Sequence, residues 1–323
     1  MTYANGALQH IDMELTTRCN AACPMCARNL NGGIDNPDMP LINLSLTDIQ
    51  RILPAPWTGM LQTLDAMQFC GNYGDPILAP DLLPIITYLR SIKPTISFAI
   101  HTNGSLRTTT WWATLAQILN RPADYVTFGI DGLADTNHLH RRHTDFDKIM
   151  NNAQAFINAG GHAHWTYLVF QHNEHQVAEA EALACEMGFM NFKIKKTPRF
   201  SASQQHVVMD RQNRPIYSIM PSRLDIPDVI LPGRCKSWDS QSIYITAEGL
   251  VFPCCWMGHL YNDWQRETAE LLDEVGGRNV IDAKQRPIED IVNGAFFDAV
   301  IRRWSGAGLR VCARKCGVGL HDR

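Results

Sequence analysis

The chain has 323 residues, 45% of them hydrophobic and 19% charged, with a formal net charge of −3. This composition excludes a disordered polypeptide, and the charge excludes a global positive field, so nucleic acid is not an expected partner; Lys193-Ile-Lys195-Lys196 is only a local basic patch. No apolar run approaches the ~20 residues that cross a bilayer, and Met1 to Leu15 lacks a basic segment followed by an apolar one. A cytoplasmic protein is therefore expected, whose ten cysteines serve metal or cluster ligation rather than disulfides.

Up to about residue 200, strand-like and helix-like segments alternate. The strands are expected at His10–Leu15, Ala66–Cys70, Ile96–Thr102, Tyr125–Ile130, Ala163–Phe170 and Asn191–Thr197, each short, rich in β-branched or aromatic residues and bounded by turn signals. Between them, Ser45 is placed to cap a helix ending near Leu53 and Asp81 to cap Leu82–Ile92. Further helices are expected at Thr109–Asn120, Phe146–Ala159 before Gly160-Gly161, and Glu174–Met187 before Gly188. Six such repeats predict an α/β fold, a partial (β/α)6 TIM-like barrel over residues 1–200, with its chemistry at the carboxyl ends of the strands. Residues 201–323 are expected to form a separate, smaller α+β extension. From about residue 198 it is preceded and begun by an irregular cover punctuated by Pro198, Pro215, Pro221, Pro227 and Pro232. A hairpin at Ser242–Thr246 and Leu250–Phe252 follows, then one helix at about Ile288–Trp304.

The loop after the first strand, Cys19-Asn-Ala-Ala-Cys23-Pro-Met-Cys26, carries three thiols within eight residues. Four thiolates saturate a [4Fe–4S] cube and three leave one iron open to a ligand; a zinc knuckle with a ligand from elsewhere is the alternative. This spacing after a first β-strand resembles the radical S-adenosylmethionine (SAM) superfamily, and the resemblance runs over nearly the whole chain. It implies that SAM chelates the open iron and that an electron, from a flavodoxin- or ferredoxin-type reductant, cleaves it to a 5′-deoxyadenosyl radical that takes a substrate hydrogen atom.

Other strand ends carry further similarity. Gly71-Asn72-Tyr73-Gly74-Asp75-Pro76 looks like the family's Gly-Gly-Glu-Pro motif, with Asp75 in place of Glu. Asn103-Gly104 and Gly129-Ile130-Asp131-Gly132 look like strand ends that border the SAM ribose and the substrate, with Gly129 where Ser is frequent. Arg142, of the pair Arg141-Arg142, matches an arginine that holds the SAM carboxylate, a task suited to a guanidinium fork. Met25 stands where an aromatic often lies near adenine. Read as residues alone, Gly71–Pro76, Asn103 and Asp131 are equally well turn formers, and the arginine pair a solvated helix start.

Cys235, Cys254, Cys312 and Cys316, with Gly249 five positions before Cys254, resemble the SPASM/twitch extension of the same family. Four ligands match the shorter twitch form with one auxiliary [4Fe–4S] cluster; structural zinc is the alternative. Cys255 is a candidate hydrogen donor to a substrate radical, or a spare thiol or substitute ligand; Cys185 is expected in the core and Cys70 packed beside the glycine loop. His138, His140, His143, His162 and His164 are expected to be solvated or hydrogen-bonded rather than metal ligands.

The expected activity is therefore radical hydrogen abstraction leading to oxidation or epimerisation. The first cysteine lies only 19 residues in, which tilts the expectation to a small-molecule substrate such as a sugar or amino-acid derivative, with no room for a cobalamin-binding segment. A peptide maturase is the second reading, and an iron–sulfur electron carrier or zinc-bound interaction module a third.

Overall fold

The computed structural model describes residues 6–197, 199–200, 205–226, 234–261, 266–305 and 309–316. All six expected strands are present: β1 (His10–Met13), β2 (Ala66–Phe69), β3 (Ser97–Thr102), β4 (Tyr125–Gly129), β5 (Ala163–Leu168) and β6 (Asn191–Lys195). Each pairs in parallel with the next. Helices α1 (Leu46–Ile52), α2 (Leu82–Ile92), α3 (Thr109–Ile118), α4 (Asn137–His140), α5 (Phe146–Asn158) and α6 (Val177–Met187) fall in the connections. Alternation along β1 explains the layering, since Ile11 and Met13 are fully buried while His10 and Asp12 are not.

Ser45 caps α1 in a reciprocal box with Asp48. Asp81 does not cap α2 through its side chain. Its carboxylate instead accepts from the Leu46 N–H at 2.9 Å and so serves the first turn of α1, which the tertiary fold brings closer. Gly188, at φ 87°, ends α6 in the left-handed conformation that glycine tolerates best.

Beyond residue 200 the expectation needs correcting. The segment expected to be irregular contains an antiparallel hairpin, β7 (His206–Met209) with β8 (Pro215–Ile219). Pro215 is tolerated because it is the first residue of its strand. Pro198, Pro227 and Pro232 lie outside the described residues. A short helix, α7 (Lys236–Asp239), precedes the expected hairpin of β9 (Ser242–Ile245) and β10 (Val251–Phe252). That hairpin does not stand apart: β9 lies parallel to β1 on its free side, giving one sheet of order β10-β9-β1-β2-β3-β4-β5-β6. Its outer strands do not pair with each other, so the barrel is partial. One apolar core likewise runs from Leu8 to Val311 across both parts of the chain. After α8 (Arg266–Glu274), the single helix expected at 288–304 is two, α9 (Ile288–Val292) and α10 (Ala295–Ser305), interrupted at Asn293-Gly294; α11 (Arg310–Cys316) follows.

Candidate functional site: two cysteine-lined cavities

The carboxyl ends of the strands surround an open cavity of about 520 Å³, into which Cys19, Cys23 and Cys26 all face. The loop that carries them is tightened by Cys26 N–H donating to the Cys23 carbonyl (2.9 Å) and by Ala22 N–H donating to the Arg142 carbonyl (3.0 Å). Asn103 Nδ2 lies 3.7 Å from Cys19 Sγ, and Arg141 Nη1 lies 4.0 Å from Cys23 Sγ. Burial raises the Cys19 thiol well above its ordinary pKa and Cys23 to about 11, with Arg141 opposing the rise at Cys23. Among the described residues no three His, Cys, Asp or Glu side chains converge as ligands of a single ion would. A cluster, which spreads its thiolates over separate irons, does not ask them to.

The loop after β2 is fitted to the end of β1 by a residue that sequence reasoning missed. Glu14, 1% exposed, accepts from the Tyr73 and Gly74 N–H groups at 2.8 and 2.9 Å through Oε1, and from the Tyr244 hydroxyl at 2.8 Å through Oε2. Burial pushes its carboxyl up to about 7 against those three donors. Its only sequence signal was an acid beside an apolar strand. The glycines here serve packing within the protein: a Cβ on Gly74 would lie 1.7 Å from the Thr16 carbonyl oxygen, and one on Gly71 2.1 Å from the Gly74 oxygen. Asn72 Nδ2 donates to the Cys255 carbonyl (2.8 Å), tying this loop to the C-terminal part of the chain.

Asp75 and Asp131 are each buried and fully engaged. Asp75 caps the short turn that begins at Pro76, and its other oxygen accepts from Thr102 Oγ1 (3.0 Å) and Asn103 N–H (2.8 Å). Asp131 accepts from Leu168 N–H (2.8 Å), His140 Nδ1 (2.7 Å) and Arg141 Nε (2.5 Å). Arg141 holds it down at about 2 against the opposing effect of burial. Arg141 itself lines the cavity, in the space left by Gly129, where a Cβ would sit 2.6 Å from Nη2. Arg142, expected to be the functional member of the pair, is spent elsewhere: its Nη1 donates to the carbonyls of Gly32 and Met209, both at 2.6 Å. It thereby pins the β7–β8 hairpin to the cysteine loop, helped by His206 Nε2 donating to the Pro24 carbonyl (2.9 Å). Met25 lines the cavity and also packs on a small second core of Phe170, Val208 and Ile219.

Cys235, Cys254, Cys312 and Cys316 line a second cavity, of about 640 Å³, with the inner face of β1 and β2 as another wall. Cys235 precedes α7, Cys254 follows β10, and Cys312 and Cys316 share one face of α11 by their spacing of four. Burial raises Cys254 to about 12, and the Cys235 and Cys316 thiols add to the rise. Cys255 lines this second cavity and not the first; Cys70 lines the first; Trp256 lines both. Cys185, expected in the core, is exposed, because α6 buries the stripe of Ala180 and Ala184 and Cys185 lies about 100° away from Ala184. Of the histidines, His140 is buried on Asp131 and His164 stacks on Tyr125 with ring centroids 4.5 Å apart.

Residues 13–184, more than half of the chain, match the family described as the Radical SAM superfamily. No curated protein matches the chain in sequence. Among solved structures, Streptococcus suis SuiB bound to S-adenosylmethionine superposes with a TM-score of 0.54 at 14% identity, covering 80% of this chain and 62% of SuiB. SuiB bound to its precursor peptide SuiA gives 0.53 at 13% identity, covering 77% and 60%. Native anSMEcpe with bound AdoMet and the Cp18Cys peptide gives 0.55 at 13% identity, covering 95% and 88%. The chain thus spans less than two thirds of the SuiB chain in these complexes, and at such identities the likeness is one of fold. No helix among the described residues is long and apolar enough to cross a membrane.

Proposed function

This chain belongs to the radical SAM superfamily, and on that premise we propose that Cys19, Cys23 and Cys26 hold a [4Fe–4S] cluster with one iron left for SAM. When bound, that pair supplies abstraction of a hydrogen atom from an unreactive substrate C–H bond through reductive cleavage of SAM. The observation that carries the reading is that three thiols from one short loop face a common cavity, beside the glycine loop and a fixed arginine.

The chain's own residues supply positioning. Arg141, oriented by its bond to buried Asp131, offers its remaining donors to the SAM carboxylate. It takes the role expected of Arg142, whose donors are committed to the hairpin. Asp75, Asn103 and Asp131 act by holding the strand ends in place. Glu14 fixes this loop through the N–H groups of Tyr73 and Gly74, and the backbone carbonyls of Gly71 and Asn72 are the acceptors assigned to the SAM ammonium. Pro76 starts the turn that closes this loop, and Met25 packs at the cavity wall.

Cys235, Cys254, Cys312 and Cys316 are assigned one auxiliary [4Fe–4S] cluster of the twitch type. Their convergence on one cavity supports this, and four thiolates complete a cube. The position of Cys255 in that cavity, away from the three N-terminal thiols, favours a net oxidation over inversion by hydrogen return. The substrate is a small molecule or a peptide; the peptides bound to SuiB and anSMEcpe make peptides worth including in any screen. The decisive experiment is anaerobic reconstitution, reduction, and incubation with SAM and candidate metabolites and peptides, followed by mass spectrometry. Formation of 5′-deoxyadenosine is expected. Its absence from protein loaded with iron and sulfide at both sites would defeat the reading.

A further inference from the structure

The inner face of the partial barrel carries its charges unevenly, with Asp12 on β1 and Lys195 on β6. At the β1 side, Asp12 Oδ1 accepts from His10 Nε2 (2.9 Å) and Gln68 Nε2 (3.1 Å). At the β6 side, the register sets Lys193 opposite Thr166 and Lys195 opposite Leu168. Thr166, Leu168 and Lys195 all line the cavity, so β6 presents Lys195 to it. Lys195, Lys196, Arg199 and Arg141 are the lysines and arginines of that lining, and among the described residues Asp75 is its only carboxylate.

Three of these groups already have partners within the protein. Asp75 is engaged through both oxygens, Arg141 is paired with Asp131, and Arg199 Nη1 donates to the Met25 carbonyl at 2.8 Å. Among the described residues, Lys195 and Lys196 make neither an ion pair nor a side-chain hydrogen bond. The groups around Lys195 do not offset its charge. Lys193 and Arg141 carry the same sign, Asp131 is the spent partner of Arg141 and His140, and His101 is held neutral by burial, its pKa lowered to about 4. Loss of hydration and these like charges together lower the Lys195 pKa. A partly desolvated ammonium among like charges is stabilised when an anion joins it. SAM brings a single carboxylate, for which Arg141 is the placed partner, and its sulfonium is itself a cation.

Building on the function proposed above, we infer that the substrate carries an anionic group, a carboxylate or a phosphate, that docks on Lys195 and Lys196 at the β6 end of the cavity. The basic patch of the sequence is then the substrate anchor of the site.

The test is residue-resolved acetylation of lysines in the reconstituted protein, read by peptide mass spectrometry, with inorganic phosphate or succinate as the probe. One probe is expected to slow labelling of Lys195 by about tenfold, the worth of one charge-assisted hydrogen bond, while labelling of exposed Lys148 is unchanged. Protection by phosphate alone marks a phosphorylated substrate, and by succinate alone a carboxylate. Equal labelling of Lys195 with and without both probes overturns the inference. So does Lys195→Gln if it weakens equilibrium binding of SAM as much as that of the anion, because the lysine would then serve the cofactor. Formation of 5′-deoxyadenosine without substrate reports separately on the radical SAM reading. Its loss with Lys195 still protected sinks that reading alone, and its retention with Lys195 unprotected sinks the anion anchor alone.

Discussion

The Arg141 guanidinium occupies the volume that a side chain at Gly129 would fill, since a Cβ at Gly129 would lie 2.6 Å from Arg141 Nη2. The missing side chain and the buried Asp131–Arg141 pair are thus one arrangement. Gly129→Ala should push the guanidinium off its seat and weaken equilibrium SAM binding by about tenfold, with a stability loss of about 1–3 kcal/mol from the disturbed buried carboxylate. Titration with SAM and chemical denaturation read the two effects. Undiminished SAM affinity would remove Arg141 from the SAM site.

Arg142→Ala separates the two arginines. Its loss frees the Gly32 and Met209 carbonyls, which hold the β7–β8 hairpin against the cysteine loop. Faster amide exchange in residues 206–219 is expected, with SAM affinity close to wild type. Unchanged exchange would mean that His206 and the Phe170 core suffice to seat the hairpin.

Glu14 predicts a pH dependence of stability. Its folded-state pKa is raised from 4.5 to about 7, so the native state resists ionisation that the unfolded chain undergoes freely. The contribution is therefore fully present below about pH 4.5 and is lost as pH rises toward 7, by on the order of 3 kcal/mol. Glu14→Gln keeps an acceptor for the Tyr73 and Gly74 N–H groups without the titration. Denaturation midpoints of the two proteins should diverge in favour of the variant between these pH values, and parallel curves would rule the effect out.

The two cysteine sets should come apart on substitution. Wild-type protein reconstituted with both clusters is expected to hold about eight irons per chain. Cys23→Ala should remove about half of that iron and abolish 5′-deoxyadenosine formation. Cys254→Ala should also lower the iron but spare SAM cleavage without substrate. Zinc retained at the second set in place of iron would assign it a structural role.

Much of the fold was legible because each barrel strand is a short β-branched or aromatic run bounded by turn residues, and because the spacing of Cys19, Cys23 and Cys26 is a local property of one loop. The β7–β8 hairpin was not legible: its burial comes from Phe170 and the cysteine loop, contacts with no trace in local periodicity. Glu14 escaped notice for the same reason, since its three donors come from Tyr73, Gly74 and Tyr244, distant in the chain.

Order along the chain was enough to establish the strand-and-helix alternation, the family and the two sets of thiols, because backbone propensity, turn chemistry and ligand spacing act over a few residues. Which of two adjacent arginines faces the cavity, that β9 docks beside β1, and that Lys195 meets the cavity without a counter-charge were decided only in three dimensions. Burial, pairing and desolvation depend on what surrounds a group in space, and those neighbours come from strands and loops scattered between residues 10 and 316.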